Sequence, residues 1–402
     1  MVHTSTIKTQ KDATFESRMS AVVLAATLLR LYREESSALL FKPSSPAPSR
    51  DGEPFVYLYV KLLLVDIRAT IPSLLGMRNS FTSFDTCKRL AASYDIIVGF
   101  IGYLLKTLDD DDFGDSNATT SSLLPPDLML RLRTDIAEAM SSTIEYIRDR
   151  YDAAVGGPNA SQAFIESSPS SRQSATELPS LPWDSTDDTS PDYHLMAAQV
   201  RALGLWLRED ENEKLRKEAV NVVDVLLSLC ASMTTDEIRS PIVIALQGIV
   251  TVPEGVETFL DKDGWRVLFE DLKSTLEPSS ATGEHVIRAI EIVRLLLAVA
   301  ESETSNHFRK EWLEIVPLST TGVVTPELTS PVELELRIGT WQLAVEVLSR
   351  APVAARRKYV REAQRMAELA SSLSDGVEDD ETLEGLREVV DGVVELYPNL
   401  DD

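Results

Sequence analysis

The sequence has little of what metal centres and most catalytic sites require. It holds two cysteines, Cys87 and Cys230, and four scattered histidines, none of them three or four residues apart. Zinc sites draw on closely spaced ligands, so no metal is expected. Gly-rich phosphate loops, G-x-S-x-G and H-E-x-x-H are also absent, which predicts no enzyme activity and no cofactor. The cysteines are interpreted as buried thiols of a reducing compartment.

Long hydrophobic runs and a signal sequence are missing too. The apolar run at 96–105 is shorter than the roughly 20 residues that cross a bilayer, and the polar first residues have no signal-peptide core. We therefore expect a cytoplasmic protein without a transmembrane segment.

Acidic residues outnumber basic ones 64 to 39, a formal net charge of -25. Such a surface repels phosphate backbones, so nucleic acid is not an expected partner.

What the sequence does have is helical periodicity along most of its length. Hydrophobic residues make up 44%, aromatic residues only 6%, and alternating strand patterns are nearly absent. The pattern predicts an all-α chain with helices at 13–35, 54–76, 82–108, 126–152, 192–209, 212–232, 236–251, 254–261, 264–277, 282–302, 331–350, 353–373 and 380–396.

Polar segments rich in Ser, Pro and Asp divide these helices at 42–52, 109–122 and 156–190. They cannot bury enough apolar surface to offset the entropy of ordering, so loops or disorder are expected there. We predict an N-terminal helical block (1–152), a disordered insertion (153–191), armadillo-like repeats (192–374) and an acidic C-terminal helix and tail (375–402). The insertion either separates two blocks or lies on the surface of a continuous array.

A repeat is visible in the phrases RALGLWL, IALQGIV and RAIEIVRLL, which place Ala202, Ala245 and Ala289 at offsets of 43 and 44 residues. A fourth echo, LAVEVLS, places Ala344 55 residues further on. Self-similarity near this period favours armadillo or HEAT repeats, which form an α-solenoid. The small residue should be buried where adjacent layers cross.

The stretch at 245–272 supports the same architecture. A long helix, a turn at Pro253, a short helix, a turn at Gly264 and another helix follow one another, as in an armadillo junction. An unrelated helical bundle can imitate one such junction, but less readily a junction together with a shared repeat phase.

Three residues on the repeats are candidates for partner binding. The residue two positions after each repeat alanine faces the concave groove in armadillo proteins, which points to Gln247 and Glu291. Trp206 lies on an apolar helical stripe. It either packs in the core between repeats or anchors a partner.

A basic segment, RAPVAARRKYVREAQR, contrasts with the acidic background. Helical spacing would place Arg357 and Arg361 on one face, with Arg356 and Lys358 beside them. The segment either docks an acidic partner segment or endomembrane headgroups, or is partly neutralised by the acidic tail. In the second case, removing 375–402 should change stability only slightly.

The phrase ALGLWLREDENEKLRKEAVNVVDVLLSL resembles the neurochondrin family, whose members carry a similar small-x-Trp-Leu-x-Glu segment followed by a Leu-Arg-Lys-Glu helix. The matching residues are Gly204, Trp206, Leu207, Glu209, Leu215, Arg216, Lys217 and Glu218. A weaker likeness covers 66–108. Family members are usually longer, with more helical sequence ahead of this motif.

The resemblance implies an armadillo-like protein without catalytic activity. Animal members are cytoplasmic regulators linked to neurite outgrowth, to inhibition of a calcium/calmodulin-dependent kinase and to endosomal and signalling partners. We therefore expect a protein-binding scaffold or adaptor that regulates signalling or trafficking. The alternative is an assembly chaperone or transport-type factor that cradles client proteins.

Overall fold

The computed structural model describes residues 2–42, 53–75, 81–112, 123–155, 191–232, 236–276, 283–303, 308–321, 330–374, 376–377 and 379–398. Within these ranges every regular element is a helix, so the predicted all-α, armadillo-like fold class is confirmed. The segments predicted as loops or disorder lie outside the described residues, except at their edges, where 109–112 and 153–155 are helical. The chain divides into two compact units, Met1–Val225 (unit 1) and Leu226–Asp402 (unit 2).

Unit 1 is built from seven described α-helices and a short 3-10 turn at Val220–Val222. The helices are α1 (Val2–Leu31), α2 (Arg33–Phe41), α3 (Phe55–Leu74), α4 (Phe81–Asp112), α5 (Pro126–Val155), α6 (Pro191–Glu209) and α7 (Glu213–Ala219). The next helix, α8 (Val223–Ser232), begins in the last residues of this unit.

The helices of unit 1 form two layers. Helix α4 packs between α1 and α6, and α5 packs between α3 and α7, while α3–α4 and α5–α6 contacts join the layers. Tyr57, Tyr94, Phe100 and Ile147 are fully or almost fully buried between them. Because α6 and α7 pack on α4 and α5, residues 192–225 belong to unit 1, although the sequence grouped them with the C-terminal repeats.

Unit 2 continues with longer helices separated by shorter ones. Its described α-helices after α8 are α9 (Asp236–Val250), α10 (Pro253–Asp261), α11 (Gly264–Leu276), α12 (Gly283–Ser302), α13 (Ile315–Ser319), α14 (Pro331–Arg350), α15 (Val353–Arg356), α16 (Val360–Ser374) and α17 (Asp380–Leu396). A 3-10 turn, Lys310–Glu314, leads into α13.

A regular repeat organises unit 2. Helices α9, α12, α14 and α17 begin every 47 to 49 residues and pack on one another in that order. The shorter helices α11, α13 and α16 pack on α12, α14 and α17. Each repeat thus buries its apolar surface against the next, as in armadillo and HEAT proteins.

The alanines that revealed the repeat are buried as predicted. Ala202, Ala245 and Ala289 have no exposed surface, and α9 packs directly on α12. Ala344 is buried as well, but the proposed 55-residue offset is wrong. Gly339 of α14 packs against Val293 of α12, because a Cβ added to Gly339 would lie 3.1 Å from Val293 Cγ1. Residues that face each other across α12 and α14 are therefore about 46 positions apart in the sequence, and not 55.

One short helical segment of unit 2 was not predicted from the sequence. Residues 308–321 fold into the 3-10 turn and α13, too short to show a helical stripe. Two contacts join this segment to neighbouring helices. Trp312 stacks on Trp265 of α11 with ring centroids 4.2 Å apart, and Trp341 Nε1 of α14 donates a hydrogen bond to the Ser319 carbonyl at 3.0 Å.

Candidate functional site

The basic segment of unit 2 is not one helix. The predicted helix at 353–373 is split into α15 and α16 by a turn with hydrogen bonds between residues three apart. Lys358 N donates to Ala355 O and Tyr359 N donates to Arg356 O, each at 3.0 Å. Tyr397 Oη also donates to the Arg356 carbonyl at 2.8 Å. A continuous helix would need that carbonyl for residue 360. Arg357 therefore lies in a turn, and the prediction that it shares a helix face with Arg361 is wrong.

The cations of this segment nevertheless form one exposed group. We call Arg356, Arg357, Lys358 and Arg361 the basic surface. The last three are exposed, Arg356 is half-buried, and none forms an ion pair with any residue that the structure describes. Arg356 Nε is buried without a hydrogen-bond partner in the same part of the chain. The exposed head groups of Arg357, Lys358 and Arg361 are thus available to an external acceptor.

A pocket of about 350 Å³ adjoins the basic surface. It is lined by Val353, Arg356, Arg357, Val360, Leu396, Tyr397 and Pro398. The pocket combines aliphatic walls with two guanidinium groups, so it suits an apolar side chain next to a carboxylate. The far wall of this pocket could not be predicted from the sequence, because Leu396 and Tyr397 approach Arg356 only through the tertiary fold.

The acidic C-terminal segment is part of the core and not a loose tail. Helix α17 buries Leu386, Val389 and Val393, and it packs on both α14 and α16. Its acidic side chains face outward: Glu381, Glu384, Glu388, Asp391 and Glu395 are exposed. None of them pairs with a cation of the basic surface among the described residues. Direct neutralisation of the basic segment by this helix is therefore not found there.

The predicted groove residues meet each other. Gln247 Nε2 donates to Glu291 Oε2 at 2.7 Å and to the Glu291 carbonyl at 2.8 Å. Arg294 extends the row by pairing with Glu291 at 3.2 Å and with Glu335 at 2.7 Å. These groups join α9, α12 and α14 in a polar ladder. Their contribution to partner binding stays a prediction.

A cleft of about 530 Å³ opens beside this ladder, between α12, α14 and α17. Its walls mix apolar groups such as Val293 and Leu336 with Arg294, Glu335 and Asp379. Asp379 caps α17, and hydrogen bonds from the Thr382 hydroxyl and backbone N–H hold the pKa of its carboxyl below the ordinary value. The cleft can accept an extended segment with mixed chemistry.

Trp206 lies inside unit 1. Its side chain is only 7% exposed, in the stripe with Leu203 and Leu207 that the sequence had shown. This burial favours the core interpretation over the partner anchor.

Neither a metal cluster nor an unambiguous membrane span is present in the described ranges. No group of three or more His, Cys, Asp or Glu side chains is placed there to hold an ion. One segment, Phe84–Thr107 of α4, is long and apolar enough to cross a membrane. More than half of its apolar window is buried inside the protein, as in the core helix of a globular domain.

Comparison with known proteins finds a matching family model and several matching solved structures. One of these structures is the crystal structure of an engineered protein, with 17% identity and a TM-score of 0.37, covering 74% of this chain and 97% of that chain. No curated protein matches the sequence. The family model that matches is Neurochondrin, over residues 9–284, which is more than half of the sequence and reaches from unit 1 into unit 2. The chain therefore belongs to the neurochondrin family.

Proposed function

We propose that this protein is a non-catalytic, cytoplasmic scaffold that binds an acidic segment of a partner protein through the basic surface. The observation that carries the proposal is a group of cations that form no ion pair with any described residue, on a chain of net charge -25. Arg guanidinium groups bind carboxylates with paired, charge-assisted hydrogen bonds. The adjoining pocket adds apolar contact, which gives the interaction specificity beyond charge.

The test is affinity purification of the full-length protein from cytosol, with mass spectrometry of what is retained. We expect a stoichiometric partner that is released as salt rises, since exposed charges are screened. Arg357→Glu with Arg361→Glu should abolish its capture. A matched control reverses Lys262 and Arg266, two exposed cations on another part of unit 2, and should leave capture intact. Equal loss in both double variants would contradict the proposal.

A chaperone or transport-type factor is the second candidate, because the cleft between α12, α14 and α17 mixes polar and apolar groups. Such a surface suits an unfolded client. In that case the same purification should retain many immature proteins at low stoichiometry, insensitive to reversal of the basic surface. Val332, 39% exposed in its wall, offers apolar contact to such a client, so salt should weaken this binding little.

A further inference from the structure

Helix α3 carries an exposed apolar stripe in addition to its buried face. Phe55, Leu58, Leu62 and Val65 are 67%, 50%, 66% and 52% exposed, and Ala69 continues the line as an exposed residue. The spacing of three and four residues is that of a heptad seam, the pattern with which one helix packs along another. No charged residue interrupts the stripe.

The opposite face of α3 is already used. Val56, Val60, Leu64 and Ile67 are buried, and α3 packs on α4 and α5. A helix that is apolar all round is normally buried all round. Helix α17 of unit 2 instead turns acidic residues outward. The exposed stripe of α3 contains no such charges.

The flanking charges indicate what covers it. We assign Phe55 and Leu62 to the a position of the heptad. Lys61 and Arg68 then occupy g positions on one side of the stripe, and Asp66 occupies an e position on the other side. In a parallel pair of α3 helices, Lys61 of each copy faces Asp66 of the other copy, the usual cross-pair of a parallel seam. An antiparallel pair would bring the row of Lys61 and Arg68 against itself.

Both groups also have partners within the chain, Asp135 for Lys61 and Arg89 for Asp66. They remain partly exposed, at 42% and 30% of their side chains, and Lys61 Nζ has three N–H donors. We propose that α3 is a self-association surface that pairs in parallel with α3 of a second copy of this chain. The stripe is short, which corresponds to a small interface and a dimer that dissociates on dilution.

The first test is the mass of the full-length protein in solution, by light scattering and sedimentation over a range of concentrations. We expect a shift from 44.4 kDa towards twice that mass as concentration rises. Leu62→Glu should abolish the shift with an unchanged circular dichroism spectrum, since Leu62 contributes little to the monomer core. Ile287→Glu, at a 57% exposed position of unit 2, should not affect it. A monomer at every concentration, or dimerisation unaffected by Leu62→Glu, overturns the proposal.

The second test separates orientation and a membrane alternative. The native cysteines are buried, so Phe55→Cys introduces a single accessible thiol. Parallel helices bring the two thiols together, and oxidation should give a cross-linked dimer. Antiparallel helices aligned on the stripe at 55–69 would hold them about 20 Å apart, so a dimer without this cross-link overturns the parallel pairing. If the protein instead stays monomeric and sediments with anionic phospholipid vesicles, and if Leu62→Glu abolishes this vesicle binding, the stripe is a membrane-binding surface and the self-association proposal is overturned.

Discussion

Single residues in unit 2 bury charge as well as apolar surface. The Asp271 carboxylate, 1% exposed, accepts two hydrogen bonds from the Arg288 guanidinium, both at 3.1 Å, and pairs with Arg239 at 3.4 Å. Arg239 Nε also donates to the Cys230 carbonyl at 3.1 Å. Removing the Asp271 carboxylate would leave the buried Arg288 guanidinium uncompensated, which typically costs about 3–5 kcal/mol. The group therefore acts as a structural clamp joining α8, α9, α11 and α12.

The cysteine next to this clamp should be inert. Burial raises the pKa of the Cys230 thiol to about 11. The thiolate is the reactive form, so at pH 8 only about one thiol in a thousand is reactive even before access is considered. We expect neither Cys230 nor the buried Cys87 to react with an aromatic disulfide reagent until the protein unfolds. The thiol introduced by Ile287→Cys, at a 57% exposed position outside the proposed self-association surface, should react at once. Comparable labelling of the native protein would contradict this expectation.

At the scale of helices, the α10–α11 junction depends on the close approach of Phe259 to Gly264, and not only on the backbone freedom of glycine. The left-handed residue of the turn is Asp263, with φ 57°, while Gly264 opens α11. A Cβ on Gly264 would lie 2.4 Å from the Phe259 ring and 2.7 Å from its carbonyl oxygen. The sharp junction predicted at Gly264 is present, but the glycine is needed because Phe259 leaves no room for a side chain.

Gly264→Ala should therefore destabilise unit 2 by about 1–3 kcal/mol, the usual cost of overpacking, measured by urea unfolding. Gly283→Ala is the control, since nothing lies within 4 Å of its added Cβ. It should be neutral or slightly stabilising because alanine is the better helix former. Equal effects of the two substitutions would mean that the Phe259 contact does not constrain the junction.

On the scale of the whole molecule, the two units differ in the chemistry of one helix surface that faces solvent. In unit 2, α17 packs on α14 and presents acidic side chains to solvent. Gly385 and Gly392 let it approach α14, since their added Cβ atoms would lie 2.9 Å from Ile338 and 2.7 Å from Val345. In unit 1, the exposed stripe of α3 is apolar, and Lys61, Asp66 and Arg68 lie only at its margins. The surface of α17 favours water, whereas the stripe of α3 is the proposed self-association surface.

Deleting residues 379–398 should consequently destabilise unit 2 strongly. Three buried side chains, Leu386, Val389 and Val393, lose their burial and leave the face of α14 open. Together they contribute on the order of 5 kcal/mol, far above the slight effect expected for a neutralising tail. Thermal unfolding measures this. A variant that keeps α17 but replaces Glu384 and Asp391 by Gln and Asn should stay near the wild type. An unaffected deletion variant would show that α17 does not support the core.

The sequence by itself determined the all-helical class, nearly every long helix, the buried alanines and the family. These features follow from local periodicity and composition, which each segment carries without reference to the rest of the chain. The tertiary structure alone decided the register of α14, the break at Arg357–Tyr359, the core role of α17 and the packing of 308–321. Each depends on a partner tens of residues away: Val293 for Gly339, Tyr397 for Arg356, Trp265 for Trp312. Periodicity shows that a helix face is apolar, but not which surface covers it. For α3 it did not show that the stripe remains exposed within the part of the chain that the structure describes.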